Sequence, residues 1–384
     1  MLNKRKIFIV TERRADFSRF KPILNLIKKD KKLQYHLAVT GSHLLKKHGL
    51  TIKEITKSKF KIFAKFPIFD KTYEKNDKGS GMSIALGKAI VKLSYILEKS
   101  KPDLILSGFD IAANFAVTVA GAHMNIPVAH IQGGEVSGNI DESLRHGMSK
   151  FAHYHFTANK DSKKRLIKLG EVKKNIFIVG CPSLDALFQE KSLSRKEIFK
   201  KFNIDLEKDF MLVIQHPVTT EAENSKKQIL QILQATKKIK MQKLFIFPNN
   251  DSGAVDIIKI IKKNKVNFAS TLKLQEYKTL LEKCKVLIGN SSSGIHEAAS
   301  FAVPVINIGN RQNGRLKPKN VLDSKCSSQE ILNKINFVLK NKKFTKSLKK
   351  LKNPYGDGKS SIKIVKFLKK ISLNKKIIQK QITY

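Results

Sequence analysis

Short apolar runs of strand length recur along the chain with amphipathic, lysine-rich stretches of helical length between them, and this alternation constrains the fold most. A strand that leads into a crossover helix and returns to the same sheet pairs in parallel, and a parallel sheet needs helices over both faces. KIFIV (6–10), YHLAVTG (35–41), DLILSG (103–108), IPVAHI (126–131), YHFTAN (154–159) and IFIVG (176–180) form one set. After CPSLDAL, residues 189–209 are polar and charged with no buried-strand pattern, which marks a domain boundary. FMLVIQH (210–216), KLFIFPN (243–249), VNFAST (266–271), KVLIGN (285–290) and VPVINIG (303–309) form the second set. The expectation is an α/β protein of two doubly wound, Rossmann-like domains, 1–188 and 189–360, with a helix at about 361–384 packing back on the first. A length of 384 residues suits two cores of ordinary size.

The formal charge of +44 invites a nucleic-acid reading, which the composition disfavours. Of 75 basic residues only nine are arginine, and the lysines are scattered along the whole chain. Base readout and bidentate phosphate contacts favour arginine, so no nucleic-acid partner is expected. No uninterrupted apolar run approaches the length that spans a bilayer, and the apolar part of MLNKRKIFIV is too short for a secretory signal. A cytoplasmic protein without a membrane partner is the expectation. Cys181, Cys284 and Cys326 lie far apart without CxxC spacing, which favours buried thiols over disulfides or zinc. No metal site and no cofactor are expected.

VAHIQGGEVSGNIDESLRH (128–146) carries the densest chemistry. An apolar strand runs into Gly133 and Gly134, which permit turns and close approaches that a side chain blocks. Asp141, Glu142, Arg145 and His146 follow as one polar group. Two readings are open there: a turn with an N-capped helix, or a reaction site at the carboxyl end of a strand. Arg14 follows the first strand directly, suited to a phosphate or a uracil-type carbonyl, with Asp16 and Ser18 in position to cap the next helix.

In the second half, IGNSSSGIHEAA (288–299) reads strand, small-residue loop, helix. Such a start presents backbone N–H groups and hydroxyls to an anion, and it also serves simply as a serine-rich cap. It lacks the lysine of a Walker loop and the third glycine of a dinucleotide fingerprint, so ATP and NAD fit poorly. His216 is held at a strand end by Pro217, placed either to meet a diphosphate or to sit as a satisfied core histidine. FPNNDSG (247–253) and NIGNRQNGR (307–315) also put polar residues just past strands, with Arg311 and Arg315 available to phosphate or ribose and Glu297 to ribose hydroxyls. Together these strand ends favour a nucleotide-diphosphate ligand.

HIQGGEVSGNIDESLRH, QHPVTTE, FPNNDSG, IGNSSSGIHE, NRQNGR and PYGDG, with RADF and TGSHL, occur in the order found in hydrolysing UDP-N-acetylglucosamine 2-epimerases of the bacterial sialic- and legionaminic-acid type. The resemblance spans nearly the whole chain. It implies a glycosyltransferase-B-like fold with the active site in the interdomain cleft, and an enzyme that removes the sugar C2 proton, expels UDP, and hydrates the resulting glycal to a free ManNAc-type sugar. By the same resemblance Asp110, Gln132, Asp141 and His216 take the catalytic positions, and Arg14, Glu135, Asn249, Ser291, Ser292, Glu297 and Arg311 bind substrate. Two departures stand out. The family's Gly-Asp-Arg after the fourth strand is replaced by Gly108-Phe109-Asp110, and its HIEGGE reads HIQGGE, with an amide at Gln132 that cannot exchange a proton as a carboxylate does. Glu135, Asp141 or Glu142 would then cover the lost function. A UDP- or GDP-linked 2,4-diacetamido-trideoxyhexose is a second expected substrate beside UDP-GlcNAc. Family analogy suggests a homodimer or homotetramer. The alternatives are a glycosyltransferase of the same fold and a catalytically impaired nucleotide-sugar-binding protein.

Overall fold

A computed structural model describes residues 4–46, 49–69, 79–109, 111–137, 140–248 and 253–383. The chain divides into two compact units, one of Met1–Glu135, Ile140–Ala186 and Gly358–Tyr384, the other of Val136–Asn139 and Leu187–Asp357.

The first unit is built on β1 (Arg5–Thr11), β2 (Leu33–Val39), β3 (Ile62–Lys65), β4 (Leu104–Gly108), β5 (Val128–Ile131), β6 (Tyr154–Thr157) and β7 (Ile176–Ile178). They lie in the order β3-β2-β1-β4-β5-β6-β7 with every neighbouring pair parallel. The period-2 alternation of the strands feeds two cores. Ile7, Ile9, Leu37, Leu104, Leu106 and Ile131 pack on one face with Phe20, Leu24 and Ile27 of α1 (Arg14–Lys29). Phe8, Val10, Ala38, Ile105 and Val128 pack on the other with α2 (Gly79–Ser100) and α3 (Ala112–His123). Burial of each such side chain contributes about 1.5–3 kcal/mol, enough to fix the register of a strand that is covered on both faces. Two further helices follow β5 and β6, α4 (Ile140–Phe151) and α5 (Lys160–Lys168).

α2 is the longest helix of the first unit. Ser80–Ser100, with a mean hydropathy of 1.2, is long and apolar enough by length and composition to cross a membrane. Its lysines are spaced among apolar residues, so no uninterrupted run shows in the sequence. Ala85, Ala89, Leu93 and Leu97, spaced by one helical turn, form the stripe that packs into the core, while Met82, Ile84, Val91 and Tyr95 face outward.

The second unit carries β8 (Phe210–Ile214), β9 (Gln242–Ile246), β10 (Phe268–Ala269), β11 (Val286–Gly289), β12 (Val305–Ile308) and β13 (Val321–Ser324) in the order β10-β9-β8-β11-β12-β13, again all parallel. α6 (Ser225–Lys237), α7 (Ala254–Lys263) and α10 (Ser328–Lys340) cover one face, and α8 (Leu274–Lys283), followed by the short α9 (Ser292–His296), lies toward the other. The final long helix, α11 (Ser360–Lys370), belongs to the first unit and packs Ile364, Val365 and Leu368 into its core. It is shorter than the expected 361–384. The backbone becomes extended at Ile371, and the chain runs on as a tail with one short helix at Lys375–Ile378.

In each sheet the strand order reverses direction once, between β1 and β4 and between β8 and β11. Open α/β sheets bind ligands beyond the carboxyl ends of the strands at such switch points. Those ends carry Glu12 and Phe109 in the first unit, and Gln215, His216 and Asn290 in the second.

Candidate functional site

In the first unit two residues at strand ends are held in the left-handed region without being glycine: Phe109 after β4 (φ 72°) and Gln132 after β5 (φ 61°). Such backbone costs of order 1–3 kcal/mol and persists where its surroundings enforce it. For Gln132 the enforcement is visible. Its N–H donates to Phe156 O at 2.8 Å, and its side chain, only 3% exposed, donates from Nε2 to Glu135 Oε1 at 3.1 Å. Arg19 Nη1 reaches Gln132 Oε1 at 3.4 Å, and the Arg19 guanidinium stacks 4.9 Å above the Phe109 ring.

The two glycines after Gln132 are both required by space. A Cβ on Gly133 would stand 2.9 Å from His130 Nδ1, and one on Gly134 (φ 76°) would stand 2.4 Å from Ser162 O. The loop is then tied from outside by two arginines. Arg145 Nη1 donates to Glu135 O at 2.9 Å, and Arg165 donates to Gly134 O. Arg145 thus works as a loop strut, buried on α4, while Asp141 and Glu142 occupy the first turn of the same helix, where the macrodipole favours negative charge. His146 Nε2 lies 3.6 Å from Glu142 Oε1, and burial pushes that imidazole below its ordinary value.

At the end of β1, Glu12 is buried and accepts a hydrogen bond from Ala113 N at 2.8 Å at the start of α3; burial raises its carboxyl above the usual range. Arg14 is the first residue of α1, with its Nη2 2.8 Å from Glu54 Oε1. Asp16 caps α1, accepting from Glu12 N and Arg13 N at 2.9 Å. Ser18 does not; its hydroxyl donates to Ala15 O. Asp110 and Asn249 lie outside the described residues.

In the second unit Asn290 organises the switch point. His216 N donates to Asn290 Oδ1 at 2.7 Å and Asn290 Nδ2 donates to His216 O at 2.8 Å, a reciprocal pair joining the ends of β8 and β11. Arg311 Nη1 and Gln312 Nε2 both donate to Asn290 O, at 3.2 and 2.8 Å. His216, Arg311 and the start of the serine loop are therefore brought together around one buried amide. Ser291 caps α9 by accepting weakly from Ser293 N, and Ser292 begins the helix. Ser293 turns inward, donating to Glu297 Oε2 at 2.7 Å and touching the buried Tyr277 hydroxyl. Arg315 donates from Nε to Val136 O at 2.8 Å, so it braces a loop of the second unit.

Burial, reinforced by the positive Arg311, pushes the His216 imidazole from 6.5 down to about 3. The ring is neutral at physiological pH. Its unfolded form takes up a proton below 6.5 and the folded form only near 3, so stability attached to the neutral ring is present above that window and lost as pH falls through it. His216→Gln should remove a slope of at most about 1.4 kcal/mol per pH unit from urea-unfolding free energies between about pH 4.5 and 6.5. An unchanged slope contradicts a neutral buried ring.

Sequence reasoning missed Arg19, Glu12, Asn290 and Gln312. Arg19 sits on a helix beside ordinary surface lysines, and only the fold brings it to Phe109 and Gln132. Asn290 follows a strand within the IGNSSSG motif, and a polar residue at that boundary is the signal that marks it. Among the described residues no group of three or more His, Cys, Asp or Glu is placed to share a metal ion.

Comparison with known proteins places both units in one lineage. The UDP-N-acetylglucosamine 2-epimerase family model matches residues 25–369. The UDP-N,N'-diacetylbacillosamine 2-epimerase (hydrolyzing) of Legionella pneumophila is 36% identical over 380 residues, covering 98% of each chain. The GDP/UDP-N,N'-diacetylbacillosamine 2-epimerase (hydrolyzing) of Campylobacter jejuni is 35% identical over 334 residues, 85% of this chain and 86% of its own. In structure, the UDP-GlcNAc 2-epimerase of Neisseria meningitidis bound to UDP-GlcNAc superimposes with a TM-score of 0.80 at 20% identity, over 94% of this chain and 99% of its own, a likeness of fold. With two Rossmann-type sheets and a match that runs through both, the chain belongs to the UDP-N-acetylglucosamine 2-epimerase family.

Proposed function

We propose that the protein is a hydrolysing nucleotide-sugar 2-epimerase whose preferred substrate is a UDP- or GDP-linked 2,4-diacetamido-trideoxyhexose, with UDP-GlcNAc as the slower alternative. The reading is carried by the buried Gln132–Glu135 pair beyond β5, in a chain whose full-length relatives are named hydrolysing 2-epimerases of diacetylbacillosamine nucleotides. Inversion at C2 through a glycal needs a proton removed from one face and delivered to the other, hence two placed acid–base groups. Glu135 is the group at hand beside Gln132, and Asp141 at the start of α4 is the second, with Asp110 a further candidate. Arg19, stacked on Phe109, supplies a guanidinium in a chain that lacks the family's Gly-Asp-Arg arginine.

In elimination the C2 proton goes to the base, the C1–O bond to the diphosphate breaks with its electron pair leaving on oxygen, and a C1=C2 double bond forms. Hydration then adds hydroxyl at C1 and a proton at C2. The second unit serves the leaving group. His216 donates one N–H, Arg311 supplies charge, and Ser291 and Ser292 offer hydroxyls to the developing oxyanion. Diphosphate binding itself raises the proton affinity of His216, opposing the burial that keeps it neutral when empty. Arg14 and Glu297 are assigned to the nucleotide, with Asn249.

The test is release of nucleoside diphosphate from each sugar nucleotide without any acceptor. The expected result is release from a UDP- or GDP-linked 2,4-diacetamido-trideoxyhexose about tenfold or more faster than from UDP-GlcNAc, the size of discrimination a pocket obtains from one substituent. Release that requires an added acceptor sugar would make the protein a glycosyltransferase, and binding without turnover a nucleotide-sugar-binding protein.

A further inference from the structure

The tail that follows α11 runs along the first unit to Gly170, and on the way meets the last turn of the helix that carries Asp141 and Glu142. Tyr154 Oη donates to Ser372 O at 2.6 Å, His153 Nε2 lies 3.3 Å from Ile378 O, and Thr383 N donates to Gly170 O at 3.0 Å. Between these points Lys380 turns inward. Its Nζ lies 2.9 Å from Ser149 O, 2.9 Å from Lys150 O and 2.7 Å from Glu171 Oε2. An ammonium has three N–H donors, and here all three have acceptors.

The two carbonyls lie at a helix end, and Glu171, whose Oε1 also lies 3.4 Å from Lys150 Nζ, has Lys380 as its nearest cation. Ser149 O and Lys150 O belong to the last turn of α4, whose carbonyls lack partners within the helix and favour a cation. Glu171 is 3% exposed, and its Oε2 also meets His155 Nε2 at 2.9 Å on β6. A carboxylate so buried is tolerated only when paired. Ser149 in turn faces the reaction loop. Its Oγ is 3.2 Å from His130 Nδ1, and His130 Nε2 is 3.4 Å from Phe109 O, so contacts run from the tail to the strained turn after β4.

We propose that Lys380 is a positioning residue for the sugar-side chemistry: by clamping the last-turn carbonyls of α4 it fixes where the first turn of that helix, with Asp141 and Glu142, stands relative to Gln132 and Glu135. The inference rests on the acid–base roles given above to Glu135 and Asp141. Lys380→Met keeps the apolar stem and removes the three donors, whereas Tyr154→Phe loosens the same tail without touching α4.

The readouts are hydrogen exchange of the amides of 140–151, and kcat and KM for the sugar nucleotide that turns over. Lys380→Met should speed exchange in α4 and lower kcat about tenfold with KM within about twofold, the pattern of misplaced groups rather than lost binding. Lys380→Arg should recover at least half of the lost rate. The double variant Glu171→Gln/Lys380→Met, which removes the buried charge left behind, should regain stability and remain slow. Tyr154→Phe should keep the wild-type kcat and α4 exchange. Wild-type exchange in Lys380→Met, or an equal fall of kcat in Tyr154→Phe, overturns the proposal. If the wild-type protein turns over none of the sugar nucleotides, the functional reading fails, while the exchange comparison still decides the clamp.

Discussion

Glu135→Gln should lower kcat by roughly a thousandfold with little change in fold, the range expected when a positioned acid–base group is removed. The reason lies in the geometry after β5. Gln132 cannot carry a proton between faces of a sugar, but its amide donates to Glu135 Oε1 at 3.1 Å and leaves Glu135 as the carboxylate at that strand end. On the proposed roles the amide is a working part of the site. Gln132→Glu would put a second carboxylate within 3.1 Å of the first, and like charges that close raise the proton affinity of one of them. Restoring the family's usual residue should therefore reduce turnover about tenfold, since one acid–base group is then in the wrong protonation state. Steady-state kinetics of the two variants on the same substrate decide the matter. A sharp gain in Gln132→Glu would mean that the amide is a defect.

The largest stability effect belongs to Gly289→Ala. At φ +127° the residue has backbone that L side chains rarely adopt, and a Cβ there would stand 2.0 Å from Ile214 O and 2.6 Å from Ile214 C. Neither atom can yield, because Gly289 pairs with Ile214 in the β8–β11 ladder at the centre of the second sheet. The cost should exceed about 3 kcal/mol, the sum of strain and a forced shift in a packed sheet. The change also displaces Asn290 and with it the His216 pairing, so binding of the nucleoside diphosphate, UDP or GDP, should weaken along with the thermal midpoint. Gly309→Ala is the control: it also has positive φ (76°) but meets nothing within 4 Å, and should cost about 1 kcal/mol. Equal midpoints for the two variants would contradict the steric argument.

Strands buried on both faces were legible because their apolar runs are continuous. β3 and β13 were not, and each lies at a sheet edge: Ile62–Lys65 alternates with exposed residues, and Val321–Ser324 is only partly buried and carries the exposed Asp323. Such segments have little apolar content to distinguish them from loop. Gly133 and Gly134 were legible for the same reason that they are needed, namely close approach by His130 and Ser162. What sequence order could not supply was proximity between distant residues. Arg19 meets Gln132 across 113 positions, and Asn290 meets His216 across 74, distances in sequence that only the parallel sheet closes. Arg145 follows Asp141 by one turn of α4, so adjacency in sequence is adjacency on the helix face as well; what sequence order did not show is its hydrogen bond to Glu135 O.

The most direct test of the central claim is the fate of hydrogen at C2. The protein should be incubated in deuterated water with a UDP- or GDP-linked 2,4-diacetamido-trideoxyhexose, and the released sugar followed by NMR. Elimination followed by hydration predicts a free, manno-configured sugar with deuterium at C2, appearing together with nucleoside diphosphate. A released sugar that keeps its original C2 hydrogen and configuration would contradict it, since the C1–O bond would then have broken without any proton transfer at C2.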